Sequence, residues 1–184
     1  YSANPGLEAG SIVALSGNDL YILNSRGRLI YNNKMSDAIQ FASAGDEYVA
    51  VFVGDSDNGV VSVINSSGQI VDNIPVSNQT LLDIGFFMST TTSSAQPTEL
   101  MWMLGLNTTG TVISTELQTY QPGKLSTGKS SLGEHIAYSI YDENGNLNIV
   151  TTRQILHYSY RALEASSPTL IYGYTVEDLS LIHI

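Results

Sequence analysis

The sequence has 184 residues, of which 42% are hydrophobic and 13% are charged, and its 7 basic and 17 acidic residues give a formal net charge of −10. This composition excludes intrinsic disorder, which combines low hydrophobicity with high charge, and the scarcity of basic residues argues against a nucleic-acid partner. The absence of cysteine excludes disulfides, thiolate zinc sites and cysteine nucleophiles.

Short apolar or alternating runs, bounded by turn residues, follow one another along the chain and predict an all-β fold. The predicted strands are, in chain order, 12–15, 20–23, 28–31, 39–41, 48–53, 60–64, 69–71, 81–87, 100–106, 111–120, 136–141, 147–152, 155–160 and 170–176. A loop rich in serine and threonine is predicted at 89–94. The only suggestion of a helix, at 161–165, is too short to be stable alone.

A sequence unit recurs with a period near 40 residues. Residues 20–30 align without a gap on residues 61–71, which places Gly27 and Gly68 41 positions apart; Gly110 follows 42 positions later, and Gly145, in a looser copy, 35 positions after that. Such a period, with about four strands in each unit, is typical of β-propeller blades. We therefore expect an all-β, partial β-propeller with roughly four blades of four antiparallel strands. A β-sandwich is the alternative fold.

Both ends of the chain look cut. Tyr1 is not an initiator methionine, and residues 179–184 match the translation of a transposase adaptor used in sequencing libraries. We therefore expect residues 1–178 to be a fragment of one propeller domain and residues 179–184 to be a non-native tail.

The repeated turns and one predicted strand resemble segments of known protein families. The repeated unit of apolar residues around Asn-Ser-x-Gly resembles the blades of WD-repeat and quinoprotein-type propellers. Residues 100–106, with Gly110-Thr111, residues 119–122 and Thr127-Gly128, are similar to a clostridial, membrane-anchored propeller family of unassigned function. The resemblance implies a location outside the cytoplasm, at the bacterial cell surface, with a membrane tether upstream of Tyr1. It implies no catalytic residues.

One motif favours nucleotide binding instead. Residues 123–130 fit the Walker A pattern, with Gly123, Gly128, Lys129 and Ser130 at its required positions. In a P-loop, backbone N–H groups hold the phosphates, the lysine reaches the terminal phosphates and the serine hydroxyl binds Mg²⁺. Such a loop lies between a buried parallel strand and a helix, and the flanking sequence favours neither; Pro122-Gly123 is expected to form a turn. A nucleotide-binding protein is therefore the alternative function.

Two other features point to binding. Asp55 and Asp57 place carboxylates at alternate positions, as calcium loops do, although such clusters also form ordinary hairpin turns. Trp102 is expected to pack between blades or, alternatively, to contact a ligand. Because propeller function usually lies in loops, the loops at 54–59 and 89–99 are candidates for ligand contact.

The expected function is a non-enzymatic, extracytoplasmic binding or scaffold module for a protein or carbohydrate ligand. We expect no catalytic residue and no cofactor, because the titratable side chains do not form a convergent set in the sequence. The scarcity of basic residues predicts no nucleic-acid partner. A further alternative is a fragment of a propeller hydrolase or lyase whose catalytic residues lie outside this piece.

Overall fold

The computed structural model describes residues 7, 9–55, 58–89, 98–107, 109–124, 126–131, 137–143, 146–151, 154–159 and 169–175. Within these ranges the chain forms fifteen β-strands and no helix, so none of the described segments is a helix able to cross a membrane. The strands form four antiparallel sheets, each built from consecutive strands, and the all-β prediction is confirmed. Of the loop predicted at 89–94, Ser89 is the last residue of a strand and residues 90–94 lie outside the described residues. The segments at 161–165 and 179–184 also lie outside them.

Each sheet is a simple meander. Sheet 1 consists of β1 (Ile12–Ser16), β2 (Asp19–Leu23) and β3 (Leu29–Lys34). Sheet 2 consists of β4 (Ile39–Ala44), β5 (Tyr48–Asp55), β6 (Asn58–Asn65) and β7 (Ile70–Ser77). Sheet 3 consists of β8 (Gln79–Ser89), β9 (Thr98–Asn107), β10 (Ser114–Gln121) and β11 (Ser126–Ser131). Sheet 4 consists of β12 (Ala137–Glu143), β13 (Asn146–Thr151), β14 (Gln154–Ser159) and β15 (Thr169–Thr175).

Strand β5 shows how the sheets pack. All of residues 49–53 are buried, although alternate side chains of a strand point to opposite faces. Residues 49, 51 and 53 join Leu20 and Ile22 of sheet 1 in one core cluster. Residues 50 and 52 join Met101 and Met103 of sheet 3 in another. Sheet 2 is therefore covered on both faces by its neighbours, as consecutive propeller blades are. Each fully buried Val or Phe side chain stabilises the folded state by about 1.5–3 kcal/mol.

The first two copies of the repeat are structurally equivalent. Asn24 and Asn65 each begin the turn between the last two strands of a sheet. The Oδ1 atom of each accepts hydrogen bonds of 2.9–3.1 Å from the backbone N–H groups two and four residues later. Gly27 and Gly68 complete these turns with φ of 75° and 82°, a conformation that glycine adopts without steric cost.

The third and fourth copies are not equivalent, which corrects the expected period. Gly110 lies between β9 and β10, the middle hairpin of sheet 3, and Gly145 falls between β12 and β13, the first hairpin of sheet 4. The turn that corresponds to Gly68 contains Gly123 (φ 77°), 55 positions later. Asn, Ser and Gly close any tight hairpin, so turn glycines alone do not show which hairpin of a sheet they close.

The turns of these meanders alternate between two ends of the sheets. The chain passes from sheet 1 to sheet 2 through residues 35–38 and from sheet 2 to sheet 3 through Asn78. The β5–β6 and β9–β10 hairpins close at this same end, which we call the connecting end. The β4–β5, β6–β7, β8–β9 and β10–β11 hairpins close at the opposite end, which we call the hairpin end.

Candidate functional site

The segment that resembles a Walker A motif forms part of a β-hairpin. Gly123 lies in the turn between β10 and β11, and its N–H donates a hydrogen bond of 2.6 Å to Asp72 Oδ2 in sheet 2. Gly128, Lys129 and Ser130 lie in β11, in antiparallel register with β10. Residues 126–128 belong to the same strand and pair with residues 119–121. This geometry differs from the strand–loop–helix of a P-loop, because an antiparallel strand follows the turn.

The proposed calcium residues lie at the β5–β6 hairpin. Asp55 is exposed at the end of β5, opposite Asn58, while Asp57 lies outside the described residues. Among the described residues, no cluster of three or more histidine or acidic side chains could hold a metal ion. A calcium site here stays a prediction. The described ends of the two candidate loops lie apart, with Asp55 and Asn58 at the connecting end and Ser89 and Thr98 at the hairpin end, so the described parts of these loops do not form one site.

Trp102 is buried in the middle of sheet 3. Its side chain is 5% exposed, and its indole lies across Gly85 of β8 so closely that a side chain at position 85 would collide with the ring. The neighbouring residues Met101 and Met103 belong to the core between sheets 2 and 3. The structure thus gives Trp102 a packing role and leaves the ring little surface for a ligand.

A polar cleft of about 350 Å³ opens between sheets 2 and 3 at the connecting end. On sheet 3 it lies on the face that carries Met103, where apolar residues give way to polar ones toward the end of the sheet. Gly105 lies at this transition. The amide of Gln79 occupies the space that a side chain at position 105 would fill. On sheet 2 the cleft is bordered by Pro75 and Ser77 of the outer strand β7.

Amide side chains dominate the lining of the cleft; they are Asn78, Gln79, Asn107 and Gln118. Asn107 is fixed by Thr109, whose N–H and hydroxyl donate hydrogen bonds of 3.0 and 2.6 Å to Asn107 Oδ1. Asn107 Nδ2 in turn donates a longer hydrogen bond of 3.5 Å to Glu116 Oε1. Asn107, Thr109 and Glu116 are therefore held in place by one another, which lowers the entropy cost of binding a ligand at this part of the cleft.

Tyr120 forms the inner wall of the cleft. Its ring packs against the core between sheets 2 and 3, and its hydroxyl donates a hydrogen bond of 3.4 Å to Gln118 Oε1. Burial raises the pKa of Tyr120, so the hydroxyl keeps its proton and its role as a donor at neutral pH. Asn78, at the rim, has a φ of 60° and is the only residue other than glycine with positive φ in the described ranges.

At the hairpin end, Glu99 connects sheets 2 and 3. It is 3% exposed, and its two carboxylate oxygens accept hydrogen bonds from the backbone N–H groups of Asp46, Glu47 and Tyr48, at 2.5, 2.8 and 3.1 Å. Gly45 leaves room for the carboxylate, which lies where a side chain at that position would stand. Burial raises the pKa of Glu99, although the three N–H donors act in the opposite direction. This arrangement ties the β4–β5 turn to β9.

The sequence did not single out the cleft residues. In the sequence, Asn78 and Asn107 differ from other turn residues only in beginning Asn-x-Thr patterns. Glu116 and Gln118 alternate with Thr115, Leu117 and Thr119, as in any half-exposed strand. The usable signal was Gly105 within an apolar strand, since an isolated glycine in a strand marks a close approach of another group. Which group approaches is decided only when β8 pairs with β9.

Comparisons with known proteins support the fold. No family model matches the sequence, and no curated protein matches it. Among solved structures, the WD40 domain of coronin from Toxoplasma gondii matches with a TM-score of 0.60 and 12% identity, over 95% of this chain and 44% of that chain. The chain thus spans less than half the length of this structural neighbour. At this identity the likeness concerns the fold alone, and it confirms the predicted β-propeller fold.

Proposed function

We propose that this chain is part of an extracytoplasmic propeller module that binds a ligand in the cleft between sheets 2 and 3 and performs no chemistry on it. The observation that carries the proposal is the cleft itself: a polar space at the junction of two blades, in which hydrogen bonds already hold the side chains that β9 and β10 contribute. Propellers commonly use the ends of their blades for binding, because loops and inter-sheet junctions meet there.

The side chains that line the cleft favour binding over catalysis. General acid–base chemistry needs positioned titratable groups with pKa values near the working pH. The lining residues offer one carboxylate, Glu116, and one phenol, Tyr120, together with amides and aliphatic hydroxyls. Because the pKa of Tyr120 is raised by burial, the phenol is a hydrogen-bond donor rather than a base. The set suits recognition of a polar ligand.

The location outside the cytoplasm has a separate basis. It rests on the resemblance of residues 100–106 and 119–122 to the clostridial membrane-anchored family. Antibodies raised against this chain test the location when applied to intact and to lysed cells of the source organism. Labelling of intact cells is the expected result. Labelling that requires lysis would contradict the location and would leave the cleft proposal unchanged.

Site-specific photo-crosslinking tests the binding function. Ser77 is exposed and borders the cleft, whereas Asn32 is exposed on β3 of sheet 1. Benzoylphenylalanine is introduced at either position, and the chain is irradiated with a cell-surface extract that contains both proteins and polysaccharides. We expect adducts from position 77 and not from position 32. Equal labelling from the two positions would contradict a binding role for the cleft.

A further inference from the structure

Sheets 1 and 2 place equivalent residues at equivalent positions around the repeated turn. In sheet 1, Leu23 directly precedes this turn and lies opposite Ile12 of β1. In sheet 2, Ile64 directly precedes the same turn and lies opposite Val49 of β5. Ile12 therefore takes in sheet 1 the place that Val49 takes in sheet 2.

These equivalent residues differ in burial. Val49 and Ile64 are both 0% exposed, because alternate residues of β2 in sheet 1 pack against them. Ile12 is 48% exposed, and Leu23 is half-buried. The residues that cover a sheet on one side in sheet 2 thus have no counterpart of the same extent at sheet 1.

The side of sheet 1 that faces away from sheet 2 is apolar. Residues that lie opposite each other in paired strands point to the same side of a sheet, so Ile12 and Leu23 share this side with the pair Ala14 and Tyr21. We call these four residues the outer face of sheet 1. Among the described strands, none packs extensively against it. An apolar face of a sheet is stable when another layer covers it.

The turn of sheet 1 is uncovered in the same way. In sheet 2, the ring of Tyr31 from β3 lies 3.0 Å from the place where a side chain at Gly68 would begin. Asn33 Nδ2, also from β3, donates a hydrogen bond of 2.9 Å to the carbonyl oxygen of Gly68. At the equivalent Gly27 nothing lies within 4 Å of that place. The turn and the strands of sheet 1 therefore differ from those of sheet 2 on the same side.

Leu29 shows that the outer strand is not part of this difference. It lies opposite Leu23 and is 50% exposed. Its equivalent Ile70 lies opposite Ile64 and is 48% exposed, although sheet 1 covers sheet 2. A neighbouring sheet thus buries the positions of Ile12 and Leu23 and leaves the position of Leu29 open.

We infer that the outer face of sheet 1 is the docking surface of a further blade of this propeller, carried by the same polypeptide. That blade stands toward sheet 1 as sheet 1 stands toward sheet 2. It presents two antiparallel strands with apolar residues at alternate positions, as β1 and β2 present Val13, Leu20 and Ile22 to sheet 2. The inference goes beyond the proposed function, since it concerns a surface outside the cleft.

A tethered blade fits this surface better than a second molecule does. The three strands of sheet 1 give a face of roughly 10 by 17 Å, at about 4.8 Å between strands and about 3.3 Å for each residue. Stable interfaces between separate proteins bury about 800 Å² on each partner, which is more than such a face offers. A blade on the same polypeptide needs less area, because the connection gives it a high effective concentration.

Cysteine labelling tests the inference, since the chain has no cysteine of its own. Ile12→Cys, Leu29→Cys and Val49→Cys are made in the chain of 184 residues, the short form, and in the protein encoded by the complete gene of the source organism, the complete form. Mass spectrometry measures the rate at which a maleimide reacts at each position. Leu29→Cys is the exposed control and Val49→Cys the buried control.

The expected result is protection of Ile12→Cys in the complete form alone. There it should react about 10-fold or more slowly than Leu29→Cys and as slowly as Val49→Cys, because labelling of a buried thiol requires local opening. In the short form it should react about as fast as Leu29→Cys. The complete gene should encode a further unit of alternating strands.

Three outcomes would overturn the inference. The first is reaction of Ile12→Cys in the complete form at the rate of Leu29→Cys. The second is protection of Ile12→Cys already in the short form, where sedimentation velocity distinguishes a covering second copy from cover by the chain's own residues. The third is protection in a complete form whose gene encodes no further unit of strands, since the cover is then not a blade.

Discussion

Replacing Glu99 with alanine should lower the free energy of unfolding by about 3 kcal/mol. The carboxylate accepts three backbone hydrogen bonds from the β4–β5 turn, and each hydrogen bond to a charged group contributes about 1.5–3 kcal/mol. Two effects reduce the total. The alanine variant no longer incurs the cost of burying a carboxylate. Water can also enter from the adjoining cavity of about 260 Å³ and accept hydrogen bonds from some of the freed N–H groups.

The variant Glu99→Gln should lower the free energy of unfolding by less, about 1 kcal/mol. One oxygen of Glu99 accepts two of the three hydrogen bonds, from Glu47 and Tyr48, and the amide oxygen of glutamine can replace it. The amide nitrogen then faces the N–H of Asp46 without accepting from it. One hydrogen bond is lost rather than three, so the destabilisation corresponds to about one unmade bond.

The same residue predicts a dependence on pH. Burial raises the pKa of Glu99 above its ordinary value of 4.5, so the folded protein binds this proton more tightly than the unfolded chain. The resulting stabilisation is complete below pH 4.5 and is lost as the pH rises through the folded pKa. The difference in unfolding free energy between the wild type and Glu99→Gln should therefore decrease as the pH rises above 4.5.

Denaturant unfolding, followed by the emission of the single tryptophan, measures these effects. Trp102 is 5% exposed and lies in the same strand as Glu99, so its emission reports the unfolding of sheet 3. Glu47→Gln is the matched control, because it removes a charge from the same turn without removing an acceptor of these bonds. An effect of Glu99→Ala below 1 kcal/mol, or equal to that of the control, would refute the reasoning.

Three further predictions concern other positions. Gly85→Ala should destabilise the protein by about 1–3 kcal/mol, because the added carbon collides with the indole of Trp102. Gly110→Ala is the control and should change the thermal midpoint little, because the atoms nearest to its added carbon lie at 3.7 Å. In denaturant unfolding, Asn65→Ala should lower the free energy of unfolding by about 2 kcal/mol and Asn24→Ala by about 1 kcal/mol. The two turns are alike, but Asn65 is buried, so its loss leaves buried donors without a partner. Equal losses in the two variants would contradict this prediction. We expect a fluorescent ATP analogue to show no Mg²⁺-dependent binding to the chain, because a strand follows the turn at Gly123. Tight binding that is lost in Lys129→Ala would restore the nucleotide hypothesis.

The fold class could be predicted because strands and tight turns are local features. Alternating apolar residues predicted fourteen strands, and the turns at Asn24 and Asn65 proved equivalent in the structure. Local signals also misled at two places. Residues 111–113 alternate like a strand but form the bend before β10, and the glycine at position 110 was aligned with the wrong hairpin. A turn sequence specifies a hairpin and does not specify its place in a sheet.

The amino-acid sequence by itself determined that this chain forms antiparallel sheets whose faces need neighbours, since β5 is apolar on both faces. Only the tertiary structure decided what those faces meet. The carboxylate of Glu99 and the N–H of Asp46 are 53 positions apart, and the cleft combines residues from β7 with residues more than 30 positions later in β10. Such contacts depend on the stacking of whole sheets, and burial in that stacking fixes the role of Trp102, the pKa direction of Glu99 and the shape of the cleft.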